Sequence, residues 1–309
     1  MNGMPIASTI LMVRPAAFGF NEETAENNHF QEDPGNADVH VNALLEFDTM
    51  VSTLRAAGIE ILVADDTQMP AKPSAIFPNN WLSTSPEGIV SVFPMYAANR
   101  RAEKRDDILQ LLVQYFEVRD VQDWSEFEAE GKFLEGTGSM VIDHDNKLIY
   151  AAVSDRTSLS VLEKYAAAGG FQAIVFLATD SSGMPVYHTN VVMTLGDKFC
   201  VLCEESIEEE WELIAVRQLL ESTGHSIIPI TREQMHAFAG NMLLLRNDAG
   251  QHILVMSATA HDSLSKQQLT ALSSYARIIP VAVPTIEKTE GGSVRCMMAE
   301  IFLKKRVLA

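Results

Sequence analysis

The stretch Leu54–Ala64, LRAAGIEILVA, ends a helical pattern at a glycine and continues directly into a run of apolar residues. The same order of helix, glycine and strand recurs in Ala166–Ala178, AAAGGFQAIVFLA, and in Leu219–Ile230, LLESTGHSIIPI. Glycine ends helices because it adopts the left-handed conformation without a steric penalty, and short apolar runs after such a signal predict strands. The recurrence indicates a repeated unit in which a helix leads into a strand.

Hairpin signals separate other pairs of predicted strands. Polar turn sequences of this kind favour a tight connection between antiparallel strands, and they occur at SPEG (Ser85–Gly88), DHDNK (Asp143–Lys147), GDK (Gly196–Lys198) and NDAG (Asn247–Gly250). A doubly wound sheet would alternate strictly between strand and helix. Hairpins combined with the helix–glycine–strand units therefore predict an α/β fold of repeated ββαβ modules. Because no Pro/Ser-rich linker divides the sequence, we expect one catalytic domain over residues 1–309.

Composition excludes several classes of function. Of 309 residues, 47% are hydrophobic and 21% are charged, which is ordinary for a globular protein. The net charge of −18 should repel nucleic acid and anionic membranes, so neither is expected as a partner. The start, Met1–Pro15, lacks the pattern of a signal peptide. We expect a cytoplasmic protein with a small-molecule partner, and the sequence is compatible with a homo-oligomer without specifying one.

The three cysteines are odd in number, which fits a reducing compartment rather than a disulfide framework. Cys200 and Cys203 form a CxxC pair, but they end an apolar run, whereas a redox pair favours a helix N-terminus. This pattern predicts a core strand. No second pair of ligands follows at the spacing of a zinc site, and we expect neither a metal nor a cofactor.

The remaining cysteine lies in Thr289–Phe302, TEGGSVRCMMAEIF, after two glycines and an arginine. Two further glycine-punctuated or strand-entry stretches contain Glu135 (LEGTG) and His188 (HTN). A thiol, an imidazole and a carboxylate together can supply a nucleophile, an acid/base and a group that orients the imidazole. Taken singly, Cys296 also fits a buried core cysteine, His188 a turn histidine and Glu135 a turn cap. The residues by themselves leave both interpretations open.

Two other features carry polar side chains that are candidates for binding. Asn79 and Asn80 lie in FPNNW and Asn190 lies in HTN, although Asn-Asn is also typical of turns. The polar stretch Phe20–His40, punctuated by Pro and Gly, is typical of a loop that covers a site.

These motifs occur in a characteristic order along nearly the whole chain, namely FPNNW (Phe77–Trp81), PMYAANRRAEKR (Pro94–Arg105), LEGTG (Leu134–Gly138), HTN (His188–Asn190) and GGSVRC (Gly291–Cys296). In this the chain resembles the guanidino-group modifying, or amidinotransferase-like, superfamily, which includes arginine deiminases and dimethylargininases. The resemblance implies a five-bladed αβ propeller of pseudo-symmetric ββαβ modules with the active site on the central axis. It also implies a metal-free cysteine hydrolase in which Cys296 attacks a guanidinium or ureido carbon, His188 transfers protons and Glu135 supports His188. Arg101 matches the family's arginine for the substrate carboxylate.

The sequence departs from the deiminase pattern at Asn80 and Asn190, where deiminases carry carboxylates. A cation next to a carboxylate gains on the order of 4 kcal/mol at an effective dielectric constant of about 20, so their loss should disfavour a guanidinium. Amide side chains offer a donor and an acceptor that match a neutral ureido group. We therefore expect a citrulline-type substrate held by Asn80 and Asn190, with Asn79 as a further contact. The alternatives are an arginine deiminase or dihydrolase, an amidinotransferase, and a non-catalytic binding protein on the same scaffold.

Overall fold

The computed structural model describes residues 5–35 and 38–307. Within these residues fifteen strands form five three-stranded sheets. The strands are β1 (Thr9–Arg14), β2 (Glu60–Asp65), β3 (Leu82–Thr84), β4 (Ile89–Val92), β5 (Asp120–Asp123), β6 (Val141–Asp143), β7 (Leu148–Ala152), β8 (Gln172–Phe176), β9 (Met193–Leu195), β10 (Phe199–Leu202), β11 (Ser226–Pro229), β12 (Leu243–Arg246), β13 (His252–Ser257), β14 (Arg277–Val281) and β15 (Ala299–Ile301).

Every sheet repeats one pattern. Its first two strands are antiparallel and its second and third strands are parallel, as in β3-β4-β5 and β12-β13-β14. The remaining sheet closes the ring, because β15 from the C-terminal part pairs antiparallel with β1, and β1 pairs parallel with β2. The prediction of a five-module αβ propeller is confirmed.

Helices make the crossovers between the parallel strands of each sheet, as parallel pairing requires. The helices in the described residues are α1 (Glu22–Ala25), α2 (Val39–Ala56), α3 (Asp106–Tyr115), α4 (Gly136–Ser139), α5 (Leu159–Gly169), α6 (Thr189–Val192), α7 (Glu210–Ser222), α8 (Arg232–His236), α9 (Ala258–Ser263), α10 (Lys266–Ser273) and α11 (Pro284–Glu290). Gly170 ends α5 in the left-handed conformation, with φ of 68°, and β8 begins two residues later. The helix–glycine–strand prediction is therefore confirmed there.

The first strand of each antiparallel pair lies innermost. Strands β3, β6, β9, β12 and β15 all line one axial cavity of about 60 Å³. The apolar core lies farther out, between the sheets and their helices, and includes Phe47 of α2 and Leu162 of α5. This arrangement brings the starts of the five innermost strands together around the axis.

Some local predictions differ from the structure. The polar strand β5 was not expected from the sequence. The arginine pair lies in a 3₁₀ turn, Ala98–Glu103, and α3 follows only at Asp106. The predicted core strand around the CxxC pair is confirmed, since Cys200 lies in β10, Cys203 follows it, and both are buried. None of the helices in the described ranges is long and apolar enough to cross a membrane.

Candidate active site

The polar residues of the candidate site lie in short turns that immediately precede the innermost strands. Each module supplies one such turn, so the five turns approach the axis from five sides. They carry Asn80 before β3, Glu135 at the start of α4 before β6, His188 and Asn190 around α6 before β9, Asn241 before β12, and Cys296 before β15. The fold thus assembles residues that are far apart in the sequence.

Cys296 lies at the base of a small cavity and is 3% exposed. The side-chain amides of Asn190 and Asn241 point their nitrogens at its Sγ, at 3.4 and 3.3 Å. The backbone N–H of Arg295 donates to Oδ1 of Asn241, which fixes the orientation of that amide. Two side-chain amides therefore hold the sulfur atom in place at the edge of the cavity. Asn241 was not expected from the sequence.

His188 and Glu135 form a buried pair in which Nε2 of His188 lies 2.8 Å from Oε2 of Glu135. Because a carboxylate only accepts hydrogen bonds, Nε2 carries the proton, and Nδ1 is the nitrogen left for proton transfer. The other carboxylate oxygen accepts the backbone N–H of Tyr96 at 3.0 Å. The imidazole is therefore held in one tautomer and one orientation.

The charges around this pair set its protonation state. Burial by itself raises the pKa of Glu135, but Arg156, His188 and Arg100 outweigh it and hold that pKa at about 2. Nη1 of Arg156 and Nη1 of Arg100 lie 3.7 and 3.8 Å from Oε2 of Glu135. Burial lowers the pKa of His188 to about 4, against the opposing effect of Glu135. At neutral pH the pair is an ionised carboxylate and a neutral imidazole, which can act as a general base.

Gly138 allows the imidazole and an asparagine amide to approach each other. A Cβ atom at this position would lie 2.5 Å from Nδ2 of Asn80 and 2.7 Å from Cε1 of His188. Both distances are far below van der Waals contact. The second glycine of LEGTG is therefore required by the packing of the site.

Arg100 and Arg101 occupy very different environments. Arg100 is buried, binds Glu103 through two hydrogen bonds of 2.9 Å, and lines the cavity. The side chain of Arg101 is 36% exposed, and its guanidinium contacts the carbonyl oxygens of Met95 and Tyr96. Arg101 does not line the cavity around Cys296. The geometry favours Arg100 over Arg101 as the arginine next to the substrate.

The cavity above Cys296 is small, with a volume of about 20 Å³, and most of the residues that line it are polar. Its walls are Thr24, Asn28, Phe77, Asn80, Arg100, Arg156, Tyr187, His188, Glu290, Gly292 and Cys296. Asn79 is buried next to it and contacts Thr137 at 3.3 Å. Asn190 instead lines the axial cavity and reaches the site through its contact with Cys296.

The N-terminal part of the stretch expected to cover the site lies over this cavity, because Thr24 and Asn28 are among its walls. Residues 36 and 37 of that stretch lie outside the described residues. We call residues 21–32 the cover segment.

Three further residues were not found from the sequence. Asn241 directly precedes an apolar strand in GNMLLL, as Asn190 does in TNVVM, so the repeat itself contained a signal. Arg156 and Glu290 follow no such pattern. Only the tertiary structure places them in the cavity.

Comparison with known proteins agrees with this architecture. The family model for eukaryotic N,N dimethylarginine dimethylhydrolase matches residues 14–303. A Caenorhabditis elegans protein, the uncharacterized protein ZK1307.1, is 23% identical over 257 residues, which cover 83% of this chain and 82% of the relative.

Solved structures share the fold at low sequence identity. The N-terminal domain of ArgZ, an arginine dihydrolase from the ornithine–ammonia cycle in cyanobacteria, superposes with a TM-score of 0.72 at 13% identity, covering 96% of this chain and 98% of that domain. A dimethylarginine dimethylaminohydrolase in adduct with S-methyl-L-thiocitrulline superposes with a TM-score of 0.67 at 15% identity, covering 96% and 100% of the two chains.

The family match spans nearly the whole ring of modules, from the end of β1 to beyond β15. The chain therefore belongs to the eukaryotic N,N-dimethylarginine dimethylhydrolase family, within the guanidino-group modifying superfamily of hydrolases that act on C–N bonds.

Proposed function

We propose that the protein is a cysteine hydrolase of a free amino acid whose side chain ends in a ureido or guanidino group, and that it prefers the ureido group. With citrulline and water the products are ornithine, ammonia and carbon dioxide. The proposal goes beyond the family, whose name describes action on a methylated guanidino group.

The orientation of Asn80 carries the proposal. Nη1 of Arg100 lies 3.0 Å from Oδ1 of Asn80. Because a guanidinium only donates hydrogen bonds, the amide oxygen faces Arg100 and the amide nitrogen faces the cavity. Nδ2 of Asn80 is buried and has no hydrogen-bond partner within the described ranges. It offers a donor, which matches a ureido oxygen and does not match a guanidinium.

Asn190 offers the complementary group. Its Nδ2 donates to Cys296, and its buried Oδ1 finds no hydrogen-bond partner in the part of the chain that the structure describes. An acceptor at this point suits the NH₂ group of a ureido head. Asn80 lines the cavity above Cys296, whereas Asn190 lies on the axial side of Sγ, so the ureido preference rests mainly on Asn80.

The geometry of the other residues suggests the reaction steps. Nδ1 of His188 takes the thiol proton as Sγ of Cys296 attacks the ureido carbon, and it returns that proton to the departing ammonia. An alkyl thiocarbamate on Cys296 remains. Water activated by the neutral imidazole then releases a carbamate, which loses carbon dioxide to give the amine. Nδ2 of Asn80 stabilises the oxygen that becomes negative in both steps.

Arg156 is the better candidate for the substrate carboxylate. Arg100 already binds Glu103 through two hydrogen bonds. The hydrogen bonds of Arg156 go to Asn27 and to the carbonyl of Thr24 instead. Its guanidinium also lies 3.7 Å from Oε2 of Glu135, but its hydrogen bonds within the described residues go to neutral groups, so it can still donate to a substrate carboxylate.

Product analysis tests the proposal. The enzyme is incubated separately with citrulline, arginine and N,N-dimethylarginine, and ornithine, citrulline, ammonia, dimethylamine and carbon dioxide are measured. Citrulline should be consumed fastest, with ornithine as the product; arginine consumed at least tenfold faster would defeat the ureido preference. The variant Asn80→Asp replaces the free donor by an acceptor and should shift the preference towards arginine.

The same pair of amides favours arginine dihydrolase as a second candidate, because the citrulline-like intermediate of that reaction carries the ureido group that they match. A dihydrolase would release two molecules of ammonia per arginine without free citrulline accumulating. A time course of arginine consumption distinguishes it from both a deiminase and a citrulline hydrolase.

The remaining two alternatives have direct tests. An amidinotransferase would require an added amine acceptor for full turnover. A non-catalytic binding protein would leave Cys296 unreactive towards iodoacetamide at neutral pH, whereas a thiol that acts as the nucleophile should be alkylated.

A further inference from the structure

A second buried carboxyl lies in the wall of the cavity, at the end of α11. Glu290 is 4% exposed and lines the same space as Cys296 and His188. The hydroxyl of Ser74 donates to its Oε2 at 2.6 Å. Its Oε1 is buried and lacks a hydrogen-bond partner among residues 5–35 and 38–307. The mechanism above does not use this group.

Glu290 contacts the cover segment through its backbone carbonyl, while its side chain contacts Ser74. Nδ2 of Asn28 donates to the backbone carbonyl of Glu290 at 3.0 Å. Arg156 reaches the same segment, because its Nη2 donates to the carbonyl of Thr24 at 2.9 Å. Glu290 and Arg156 are therefore both anchored to the segment that covers the cavity.

Cys296 and Asn80 line the same cavity as Glu290 and Arg156. A substrate with its head group at Cys296 directs its amino-acid end towards the cover segment. There we expect the α-carboxylate to contact Arg156, and the α-ammonium group is bonded to the same Cα atom as that carboxylate.

A buried carboxyl without a cation is costly to ionise. In the part of the chain that the structure describes, no cationic side chain lies within ion-pair distance of Glu290. Burial raises its pKa to about 8, with Glu103 adding to this effect and Ser74, Arg100 and Arg156 opposing it. An incoming ammonium would supply the missing positive charge together with a donor for Oε1.

We propose that Glu290 is a specificity-determining residue that accepts a hydrogen bond from the α-ammonium group of the substrate through Oε1. The site then selects free α-amino acids over ligands that lack the amino group or carry it acylated. The inference rests on the proposed function only for the position of the head group at Cys296.

Ligand binding tests the inference without requiring turnover. The variant Cys296→Ser is titrated calorimetrically with citrulline and with 5-ureidopentanoate, which is the same molecule without the amino group. Arginine and 5-guanidinopentanoate form a second pair. We expect the amino acid of at least one pair to bind about 10- to 100-fold more tightly, the range for hydrogen bonds to charged groups.

The double variant Cys296→Ser with Glu290→Gln should lose most of this preference by weakening the amino acid and leaving the des-amino ligand unchanged. Glu290→Asp keeps a carboxylate at a shorter reach and should retain part of the preference. Glu287→Gln is the matched control, because Glu287 lies one turn earlier in α11, is also buried, and has hydrogen bonds from Ser293 and Thr259 to its two oxygens. This control should keep the full preference.

Three outcomes would overturn the inference. The first is that neither amino acid binds more tightly than its des-amino analogue, which includes the case that nothing binds. The second is that Glu290→Gln keeps the preference for the amino acid, and the third is that Glu290→Gln weakens the amino acid and its des-amino analogue equally. A preference that depends on Glu290 in a protein that turns over none of the substrates would uphold the inference and refute the proposed function instead.

Discussion

Two buried carboxyl groups flank one cavity and differ in almost every other respect. Glu135 lies between Arg156, Arg100 and His188 and accepts a backbone N–H, and its pKa is held at about 2. Glu290 accepts one hydroxyl hydrogen bond, and burial raises its pKa to about 8. Both residues are at most 4% exposed.

The difference shows that burial alone does not determine the charge of a carboxyl group. Neighbouring cations and donors decide whether desolvation is overcome. At Glu135 they are part of the protein, so the charge is present before substrate arrives and can orient His188. At Glu290 the cation is missing, which is why we assign that end of the cavity to a cationic part of the ligand.

The largest effect is expected at the reacting atom, Sγ of Cys296. Cys296→Ala should reduce turnover by about 10⁴-fold or more, because no other group can form the covalent adduct. Both carboxyl environments remain, so the free energy of unfolding should change by about 1 kcal/mol or less. Ammonia release and urea denaturation measure the two quantities. Retained turnover would end the assignment of Cys296.

The next largest effect compares the carboxyl groups directly. Glu135→Gln removes the charge shared by Arg156, Arg100 and His188, and should lower the free energy of unfolding by about 3–5 kcal/mol, as when one partner of a buried ion pair is removed. It should also lower kcat by about 10²- to 10⁴-fold, because the imidazole loses its orienting partner. Denaturant unfolding and steady-state kinetics check this. An unfolding free energy equal to that of the wild type would contradict the difference drawn between the two sites.

A smaller effect is expected at Gly138, where close packing positions the side chains of Asn80 and His188. Gly138→Ala should lower kcat by about 10- to 100-fold, since Asn80 and His188 must both move away from the new methyl group, and displacements below 1 Å are costly in an active site. Gly19→Ala is the control, because no atom lies within 4 Å of the Cβ position there. Equal kcat values for both variants would show that the close approach at Gly138 is not needed.

The smallest effect has the opposite sign. Folded Glu290 binds its proton more tightly than unfolded glutamate, so the wild type loses stability as pH rises from 4.5 towards about 8. Arg100 and Arg156 reduce this loss and Glu103 increases it. Glu290→Gln stays neutral and should exceed the wild-type stability by up to about 2 kcal/mol at pH 8, and by almost nothing near pH 4.5.

Thermal unfolding of both proteins across this range, without ligand, measures the difference. A Glu290→Gln variant that is less stable than the wild type at pH 8 would show that Glu290 has a cationic partner in the free protein after all.

Local sequence patterns predicted the architecture well where they reflected burial. The apolar runs and hairpin turns that form β6 with β7 and β12 with β13 were recognisable, because continuous burial requires runs of apolar residues and tight turns require particular turn residues. Strand β5, with the sequence DVQD, was not recognisable. Its side chains are largely exposed, and only its hydrogen bonds to β4 make it a strand.

The adjacent residues Arg100 and Arg101 show a different limit. The order of the motifs indicated that an arginine of this pair lies at the site, but it did not identify which one. Neighbouring residues of a 3₁₀ turn point in different directions, so only packing decides this. Packing turned Arg100 inward towards Glu103 and Asn80 and left Arg101 near the surface. The expected role of Arg101 is therefore proposed for Arg156, with Arg100 holding Asn80.

The sequence by itself predicted repeated ββαβ modules, because turns and apolar runs are properties of short segments. The order of its motifs, through the resemblance to the superfamily, implied their ring and the roles of Cys296, His188 and Glu135. The tertiary structure alone decided that Asn241 faces the thiol and that Arg156 and Glu290 line the same cavity. It also decided that one buried carboxyl, Glu135, is ionised at neutral pH while the other, Glu290, is mostly protonated. Electrostatic energies depend on distances between residues far apart in the chain, and those distances exist only after the ring has closed.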